Sequence, residues 1–130
     1  MNADKPIGIA GAGSIGCFVG GMLAAGGRQV ALLARPRVIA EIENNGLRLT
    51  SFEGLDRNIA SSALTLSEDP SIFNDVGTVL VTVKSADTAG MADIIARHAP
   101  ADAVIVSLQN GIGNVAVLRA GLPGRRVLIC

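Results

Sequence analysis

Short apolar runs alternate along the chain with stretches of helical periodicity. The runs are rich in valine, isoleucine, leucine and alanine, which is typical of strands buried on both faces of a parallel sheet. They occupy residues 7–10, 29–34, 78–83, 103–108 and 127–130. Predicted helices lie between them, from Ser14 to the pair Gly26-Gly27 and over residues 36–43, 86–98 and 114–120. This alternation predicts an α/β fold.

Two weaker patterns precede the run at residues 78–83. Residues 47–50 alternate apolar with polar side chains and predict a hairpin that returns through residues 57–60. Residues 63–66 predict an edge strand, and Phe73 is expected to pack under a short helix that follows it. Right-handed crossovers then give the strand order 3-2-1-4-5-6, a Rossmann-type doubly wound parallel sheet in a single domain over residues 1–130.

The first strand runs directly into a glycine-rich turn that has the spacing of a dinucleotide-binding loop. Gly11 permits a tight turn, Gly13 lets the backbone approach a pyrophosphate, and Gly16 lets the helix pack closely on the strand. Free N–H groups at the helix start would hold the phosphates without a metal. The predicted cofactor loop is therefore Gly11, Ala12, Gly13, Ser14, Ile15 and Gly16.

A strand-turn-helix without a ligand is the alternative, because the chain has sixteen glycines and such a pattern arises by chance. The context favours the ligand, since the glycines follow a predicted strand and open a helix. That helix is expected to pack on the sheet through one apolar face, formed by Ile15, Val19, Met22 and Leu23.

The end of the second strand carries Arg35, at the place where an NAD-specific loop has Asp or Glu for the ribose 2′-hydroxyl. A guanidinium binds a 2′-phosphate instead, through a bidentate charge-assisted pair. Arg35 and Arg37 also oppose the dipole of the helix that starts there, which favours a bound anion. The sequence thus predicts NADP as the cofactor; the alternative is a pair of solvated arginines.

Two further side chains follow strands at the edge where open α/β sheets bind ligands. Lys84 comes after residues 78–83 and would meet a cofactor or substrate anion, or else be a solvated strand end. Asn110 comes after residues 103–108, and its amide suits a carboxamide or hydroxyl; the alternative is an Asn-Gly turn residue. His98 and the Arg125-Arg126 pair fall away from this edge, and both arginines are interpreted as solvated charge.

Composition narrows the class of protein. Eleven basic residues balance eleven acidic ones, so no overall field attracts nucleic acid or an acidic membrane. Residues 6–27 carry no charge, but their glycines disfavour a membrane helix. Cys17 and Cys130 suit a reducing, cytoplasmic compartment and are interpreted as packing residues, with a reactive Cys17 as the alternative.

Four segments together resemble the ketopantoate reductase (2-dehydropantoate 2-reductase) family. They are Gly-Ala-Gly-Ser-Ile-Gly at 11–16, Ala-Leu-Leu-Ala-Arg ending at Arg35, Val-Thr-Val-Lys ending at Lys84, and Leu-Gln-Asn-Gly-Ile-Gly at 108–113. The resemblance runs from Ile7 to Cys130 and implies the amino-terminal NADPH-binding domain of an enzyme that reduces 2-dehydropantoate to pantoate. It implies that Arg35 binds the 2′-phosphate, and that Lys84 and Asn110 lie at the nicotinamide end beside a 2-keto acid substrate.

The family also has a helical carboxyl-terminal domain with the lysine that protonates the product, which these residues do not contain. We therefore expect these 130 residues alone to bind NADPH weakly, to reduce nothing, and to self-associate through the edge at residues 127–130. Two alternatives stay open. One is another NADP-dependent hydroxyacid dehydrogenase, and the other is a nucleotide-sensing regulatory module like those attached to potassium channels, which generally carry an acid at the position of Arg35.

Overall fold

The computed structural model describes residues 4–110 and 112–130. Strands and helices alternate through them, as predicted. The strands are β1 (Ile7–Ala10), β2 (Val30–Leu33), β3 (Leu47–Thr50), β4 (Asp56–Ile59), β5 (Thr65–Ser67), β6 (Thr78–Val81), β7 (Val104–Ser107) and β8 (Val127–Ile129). The α-helices are α1 (Ser14–Ala25), α2 (Pro36–Asn45), α3 (Thr88–His98) and α4 (Asn114–Gly121), with 3₁₀ turns over residues 61–63, 70–73 and 85–87.

Six strands form one parallel sheet in the order β5-β2-β1-β6-β7-β8. This confirms the predicted Rossmann-type order, with β1 in the middle. The chain leaves β1 toward β2 on one side and continues through β6 on the other, so the order reverses beside β1. The antiparallel hairpin of β3 and β4 stands outside the sheet and packs on α1, as the alternation at residues 47–50 requires for a half-buried strand.

Apolar side chains fill the sheet on both faces. One cluster gathers residues of β6, β7, α3 and α4 around Phe73, which is fully buried as predicted. A second cluster joins β1 and β2 to α2 and the hairpin, with Leu32 and Leu49 at its centre. No helix in the described part of the chain is long and apolar enough to cross a membrane.

The predicted packing face of α1 is only partly correct: Val19 and Leu23 are half-buried, and Leu23 packs against the second cluster. Ile15 and Met22 are exposed, at 46% and 42%, while Gly16, Gly20 and Gly21 are buried. A Cβ atom on Gly20 would lie 3.3 Å from Cγ1 of Ile9, so the bare glycines let the helix lie close to the sheet. Periodicity alone did not show this, because α1 has apolar residues on every side and no polar face to identify its outside.

Arg125 is half-buried rather than solvated, which corrects its interpretation as surface charge. Its guanidinium donates to the carbonyl oxygens of Ala96, Ala99 and Pro100 at distances of 3.0–3.1 Å. These carbonyls lie at the carboxyl end of α3, where the last turn of a helix leaves acceptors unsatisfied and cations are favoured. The neighbouring Arg126 is exposed, as predicted.

Several strand boundaries and one cysteine also differ from expectation. β6 ends at Val81 instead of continuing to Val83, because its partner β1 turns away at Gly11 after the Ala10–Val81 pair. The edge strand is β5 at Thr65–Ser67, preceded by a 3₁₀ turn. Cys130, predicted to be a packing residue, is exposed beyond the outer strand β8.

Candidate dinucleotide site

Four loops follow adjacent parallel strands and meet at one edge of the sheet. The last paired residues of the four adjacent strands lie side by side at this edge: Leu33, Ala10, Val81 and Ser107. The predicted ligand residues that follow them within three positions are Gly11, Arg35, Lys84 and Asn110. At about 4.8 Å between strands, the loops after β2, β1, β6 and β7 cover roughly 14 Å. Ligands of open α/β sheets bind at this edge, where the strand order reverses.

The turn after β1 is shaped by contacts that leave no room for side chains. Gly11 has a φ of +121°, which favours glycine, and a Cβ atom there would lie 2.9 Å from the backbone nitrogen of Val83. A Cβ atom on Gly16 would collide with the carbonyl oxygen of Gly11. Two of the three glycines are therefore required by the fold itself, as the spacing predicted.

Thr82, the residue directly after β6, holds this turn in place. Its hydroxyl lies 2.7 Å from the carbonyl oxygen of Gly11 and 3.2 Å from that of Ala10. The backbone N–H of Thr82 also donates to Ala10 at 3.0 Å. Sequence reasoning missed this residue, and its only signal was one hydroxyl inside an apolar run.

Gly13 differs from the other two glycines because its surroundings are open. A Cβ atom there would have no heavy atom within 4 Å, so the fold does not require a glycine at this position. Gly13 is the N-cap of α1, and neither a side-chain cap nor an acidic residue occupies the first turn. The start of α1 thus presents its N–H groups and positive dipole end to an open space that suits a phosphate.

The remaining loop residues border that space. Ser14 and Ile15 are exposed in the first turn of α1, and Ala12 is half-buried against the second apolar cluster. The Cys17 thiol donates to the carbonyl oxygen of Ala12 at 3.4 Å. Burial raises the pKa of Cys17, and Glu41 raises it further, so the thiol stays protonated at neutral pH. This does not favour the alternative of a reactive Cys17.

Arg35 lies where the second predicted contact requires it. It is exposed, it is the N-cap of α2 directly after β2, and Pro36 follows at the first helical position. The first turn of α2 holds no acidic residue, and within the described residues neither Arg35 nor Arg37 forms an ion pair. Both guanidinium groups therefore remain available to an anion at the edge beside the glycine turn.

Lys84 and Asn110 are exposed on the loops that follow the adjacent strands β6 and β7. Neither side chain makes a hydrogen bond or ion pair to another described residue. Gly111 of the Asn-Gly-Ile-Gly segment lies outside the described residues. Ile112 is fully exposed, and Gly113 has a φ of +97° as the N-cap of α4.

A chain of hydrogen bonds, buried at its centre and partly buried at its ends, joins these two loops. The Gln109 amide nitrogen donates to the Val83 carbonyl at 3.0 Å and to the Thr88 hydroxyl at 2.8 Å. The Thr88 hydroxyl donates to the side-chain oxygen of Asn114 at 3.1 Å. The Asn114 amide nitrogen donates to the Asn110 carbonyl at 2.9 Å and to the Ser85 hydroxyl at 3.1 Å.

Sequence reasoning missed this network, which we call the loop clamp: Ser85, Thr88, Ser107, Gln109 and Asn114. Thr88, Ser107 and Asn114 are the buried polar residues of the described chain, at 0%, 1% and 5% exposure. Small polar residues that flank two apolar strands were the only signal. Such residues are as common in ordinary turns, so the pattern does not reveal a shared network.

The sheet order, the glycine turn and the ligand edge together define a dinucleotide-binding domain of the Rossmann type. A model of the family "Ketopantoate reductase PanE/ApbA" matches residues 7–130. The chain belongs to the ketopantoate reductase family.

Individual relatives agree with this assignment. A 2-dehydropantoate 2-reductase of Halobacterium salinarum is 38% identical over 93% of this chain and 39% of its own length. The crystal structure of a PanE/ApbA family ketopantoate reductase from Ralstonia eutropha is 38% identical, covers 94% of this chain and 39% of that one, and has a TM-score of 0.84. A D-mandelate dehydrogenase solved with NADH and anilino(oxo)acetate is 25% identical over 95% of this chain and 39% of its own, with a TM-score of 0.74. The chain thus spans about two-fifths of these proteins.

Proposed function

We propose that this chain is the NADPH-binding domain of a 2-dehydropantoate 2-reductase. The observation that carries the proposal is the open N-terminus of α1 at Gly13, flanked at the same edge by the unpaired Arg35 on one side and Lys84 on the other. A dinucleotide laid along this edge would place its pyrophosphate on α1 and its 2′-phosphate near Arg35. The family and the Halobacterium relative supply the substrate class, a 2-keto acid.

The choice of NADPH over NADH rests on charge. A carboxylate at the end of β2 would accept hydrogen bonds from a ribose 2′-hydroxyl and repel a 2′-phosphate. The guanidinium of Arg35 would instead attract a 2′-phosphate and donate hydrogen bonds to it. Arg35 and Arg37 have no acidic neighbour in the first turn of α2 to neutralise them. The D-mandelate dehydrogenase neighbour was solved with NADH, so a similar fold does not by itself point to NADPH, and we propose that the residue after β2 selects the cofactor.

Lys84 and Asn110 are proposed to contact the nicotinamide end and the substrate. When bound, NADPH supplies a hydride to the ketone carbon of the substrate. An ammonium group at Lys84 would stabilise a substrate carboxylate or the negative charge that develops on the carbonyl oxygen. The Asn110 amide would donate to one oxygen and accept from a hydroxyl, which orients the substrate.

We propose no residue of this chain as the donor of the proton that completes the reduction. Lys84 is the one lysine at the ligand edge among the described residues, and we assign it to binding. These 130 residues alone are proposed to bind NADPH weakly and to reduce nothing, since the chain covers 39% of the Halobacterium reductase. NADPH oxidation with 2-dehydropantoate tests this, and robust turnover by these residues would contradict it.

A different NADP-dependent hydroxyacid dehydrogenase is the second candidate, and the likeness to D-mandelate dehydrogenase favours it. Turnover of 2-dehydropantoate against simpler 2-keto acids separates the two. The regulatory module is disfavoured, since it does not need Lys84 and Asn110 together at the nicotinamide end.

Self-association is a further proposal, supported by the outer strand β8, where Leu128 and Ile129 are 46% and 70% exposed. Light scattering over a range of concentrations tests it.

Replacement of Arg35 by alanine tests the cofactor assignment. The change removes a charge-assisted contact to the 2′-phosphate, which is worth about 1.5–3 kcal/mol, or roughly tenfold to a hundredfold in NADPH affinity. NADH has no such phosphate and should bind Arg35→Ala and the unaltered protein equally. Calorimetric titration with both cofactors measures the difference, and Arg57→Ala on the hairpin is the charge-matched control. Equal losses for both cofactors would reject the role of Arg35.

A further inference from the structure

Thr88 lies at the centre of the loop clamp and is completely buried. It is the first residue of α3, so its side chain starts from the end of the β6 loop. Its hydroxyl bridges Gln109, which precedes Asn110, and Asn114, which begins α4. One hydroxyl therefore connects the loop that carries Lys84 to both ends of the loop that carries Asn110.

The direction of each hydrogen bond in the clamp is fixed by its ends. The Val83 carbonyl only accepts, so the Gln109 amide must turn its nitrogen toward Val83. The Gln109 oxygen then accepts from Ser107 at 2.9 Å, and Thr88, which receives the second Gln109 proton, donates onward to Asn114. At the other end the Asn110 carbonyl only accepts, which turns the Asn114 nitrogen toward it. The chain has one consistent arrangement of protons.

Within the described residues, no buried side-chain nitrogen or oxygen lacks a hydrogen-bond partner. A fully satisfied buried polar network fixes a unique geometry, whereas apolar side chains of the same volume would fill the space with similar stability and no direction. At this place the polar side chains therefore contribute a fixed geometry of the two loops rather than additional stability.

The positions that the clamp fixes are those of the two exposed ligand residues. Its ends hold the carbonyl oxygens of Val83, the residue before Lys84, and of Asn110 itself. The side chains of Lys84 and Asn110 make no hydrogen bonds to other described residues, so their separation depends on the backbone beneath them. The clamp supplies the cross-link between these two backbones.

We propose that Thr88 is a positioning residue that, through Gln109 and Asn114, sets the spacing of Lys84 and Asn110 for the nicotinamide half of the dinucleotide. The inference rests on the proposed function and deepens it. Because Thr88 is buried, it acts without touching the ligand. The adenine half lies toward Arg35, on the other side of β1, and should not depend on the clamp.

The test compares two ligands on the complete protein. NADPH reaches both halves of the site, whereas 2′-phospho-ADP-ribose is the same molecule without the nicotinamide ring. Thr88→Val keeps the volume and removes the hydroxyl, and Thr88→Ser keeps the hydroxyl. We expect Thr88→Val to lose about tenfold in NADPH affinity, the scale of one hydrogen-bonded contact, with less than about a twofold change for 2′-phospho-ADP-ribose. Thr88→Ser should restore most of the difference.

A general loss of stability must be separated from misplacement. Arg125→Met is the control, because it removes three hydrogen bonds to the end of α3 and lies away from the ligand edge. It should lower the melting temperature and leave the ratio of the two affinities unchanged. If Thr88→Val melts below the assay temperature, Gln109→Met removes the adjacent link of the clamp, the half-buried amide that donates to Val83 and Thr88, and should give the same readout.

The outcomes distinguish the inference from the proposed function. Failure of the unaltered protein to bind either ligand would reject the proposed dinucleotide site. Binding with equal affinity for both ligands, or an unchanged affinity ratio in Thr88→Val, would overturn the positioning role and leave the dinucleotide site standing. A parallel loss for both ligands in Thr88→Val and Arg125→Met would assign Thr88 to stability alone.

Discussion

The turn after β1 and the paired loops after β6 and β7 lie at the same edge of the sheet, but different means hold them in shape. The first turn depends on missing side chains, because atoms added at Gly11 or Gly16 meet the backbone of a neighbour. The paired loops depend on side chains that are present, linked through Thr88, Gln109 and Asn114. The glycine turn should therefore fail when atoms are added, and the clamped loops when atoms are removed.

The largest effect is expected where an added side chain meets only the ligand. Gly13→Val should lower NADPH affinity by about a hundredfold or more, since the valine occupies the path of the pyrophosphate. Its free energy of unfolding should change by less than about 1 kcal/mol, because no heavy atom lies within 4 Å of the new Cβ position. Calorimetric binding with circular dichroism measures both. Gly26→Val, at the other end of α1, is the control and should bind normally.

A smaller effect, this time on folding, is expected from Gly16→Ala. The methyl group would collide with the Gly11 carbonyl and lie 2.7 Å from the Thr82 hydroxyl, so we expect a loss of about 2–3 kcal/mol in urea denaturation. In Gly20→Ala the nearest atom is 3.3 Å away, and a gain of about 1 kcal/mol in helix propensity offsets the tighter contact. Equal stability of the two variants would contradict the account of the turn.

The smallest effect is expected from Thr82, whose hydroxyl holds the glycine turn through the carbonyl oxygens of Gly11 and Ala10. Thr82→Val removes its hydroxyl and should cost about 1 kcal/mol of unfolding free energy. Thr82→Ser keeps the hydroxyl and should cost less. If valine were as stable as threonine here, the Thr82 hydroxyl would not contribute to holding the turn, and the contrast with the clamped loops would become sharper.

The sheet could be predicted because its information is local and repeated. Each apolar run identified one strand, and the glycine turn identified the strand that lies at the centre. Arg35, Lys84 and Asn110 were placed at one edge by a general rule, that parallel strands end at the same side. Their contacts with a ligand stay predictions.

The features that escaped prediction depend on contacts between distant segments. Arg125 lies next to Arg126, and no local pattern shows that only the first bends back to the end of α3, 26 residues away along the chain at Ala99. The packing face of α1 was wrong at Ile15 and Met22 because glycines carry no hydrophobic signal, yet they lie against the sheet. Thr82 and the clamp residues resemble ordinary turn residues until the loops are brought together.

The clamp has a consequence for how the site responds to its surroundings. Its side chains are three hydroxyls and two amides, none of which gains or loses a proton in the working range of proteins. Acid or base therefore leaves the arrangement intact, and salt does not screen it, because neutral hydrogen bonds carry no net charge. The distance between Lys84 and Asn110 should stay constant from mildly acidic to mildly basic conditions. Any dependence of ligand binding on acidity or ionic strength would then report on the charged groups that touch the ligand.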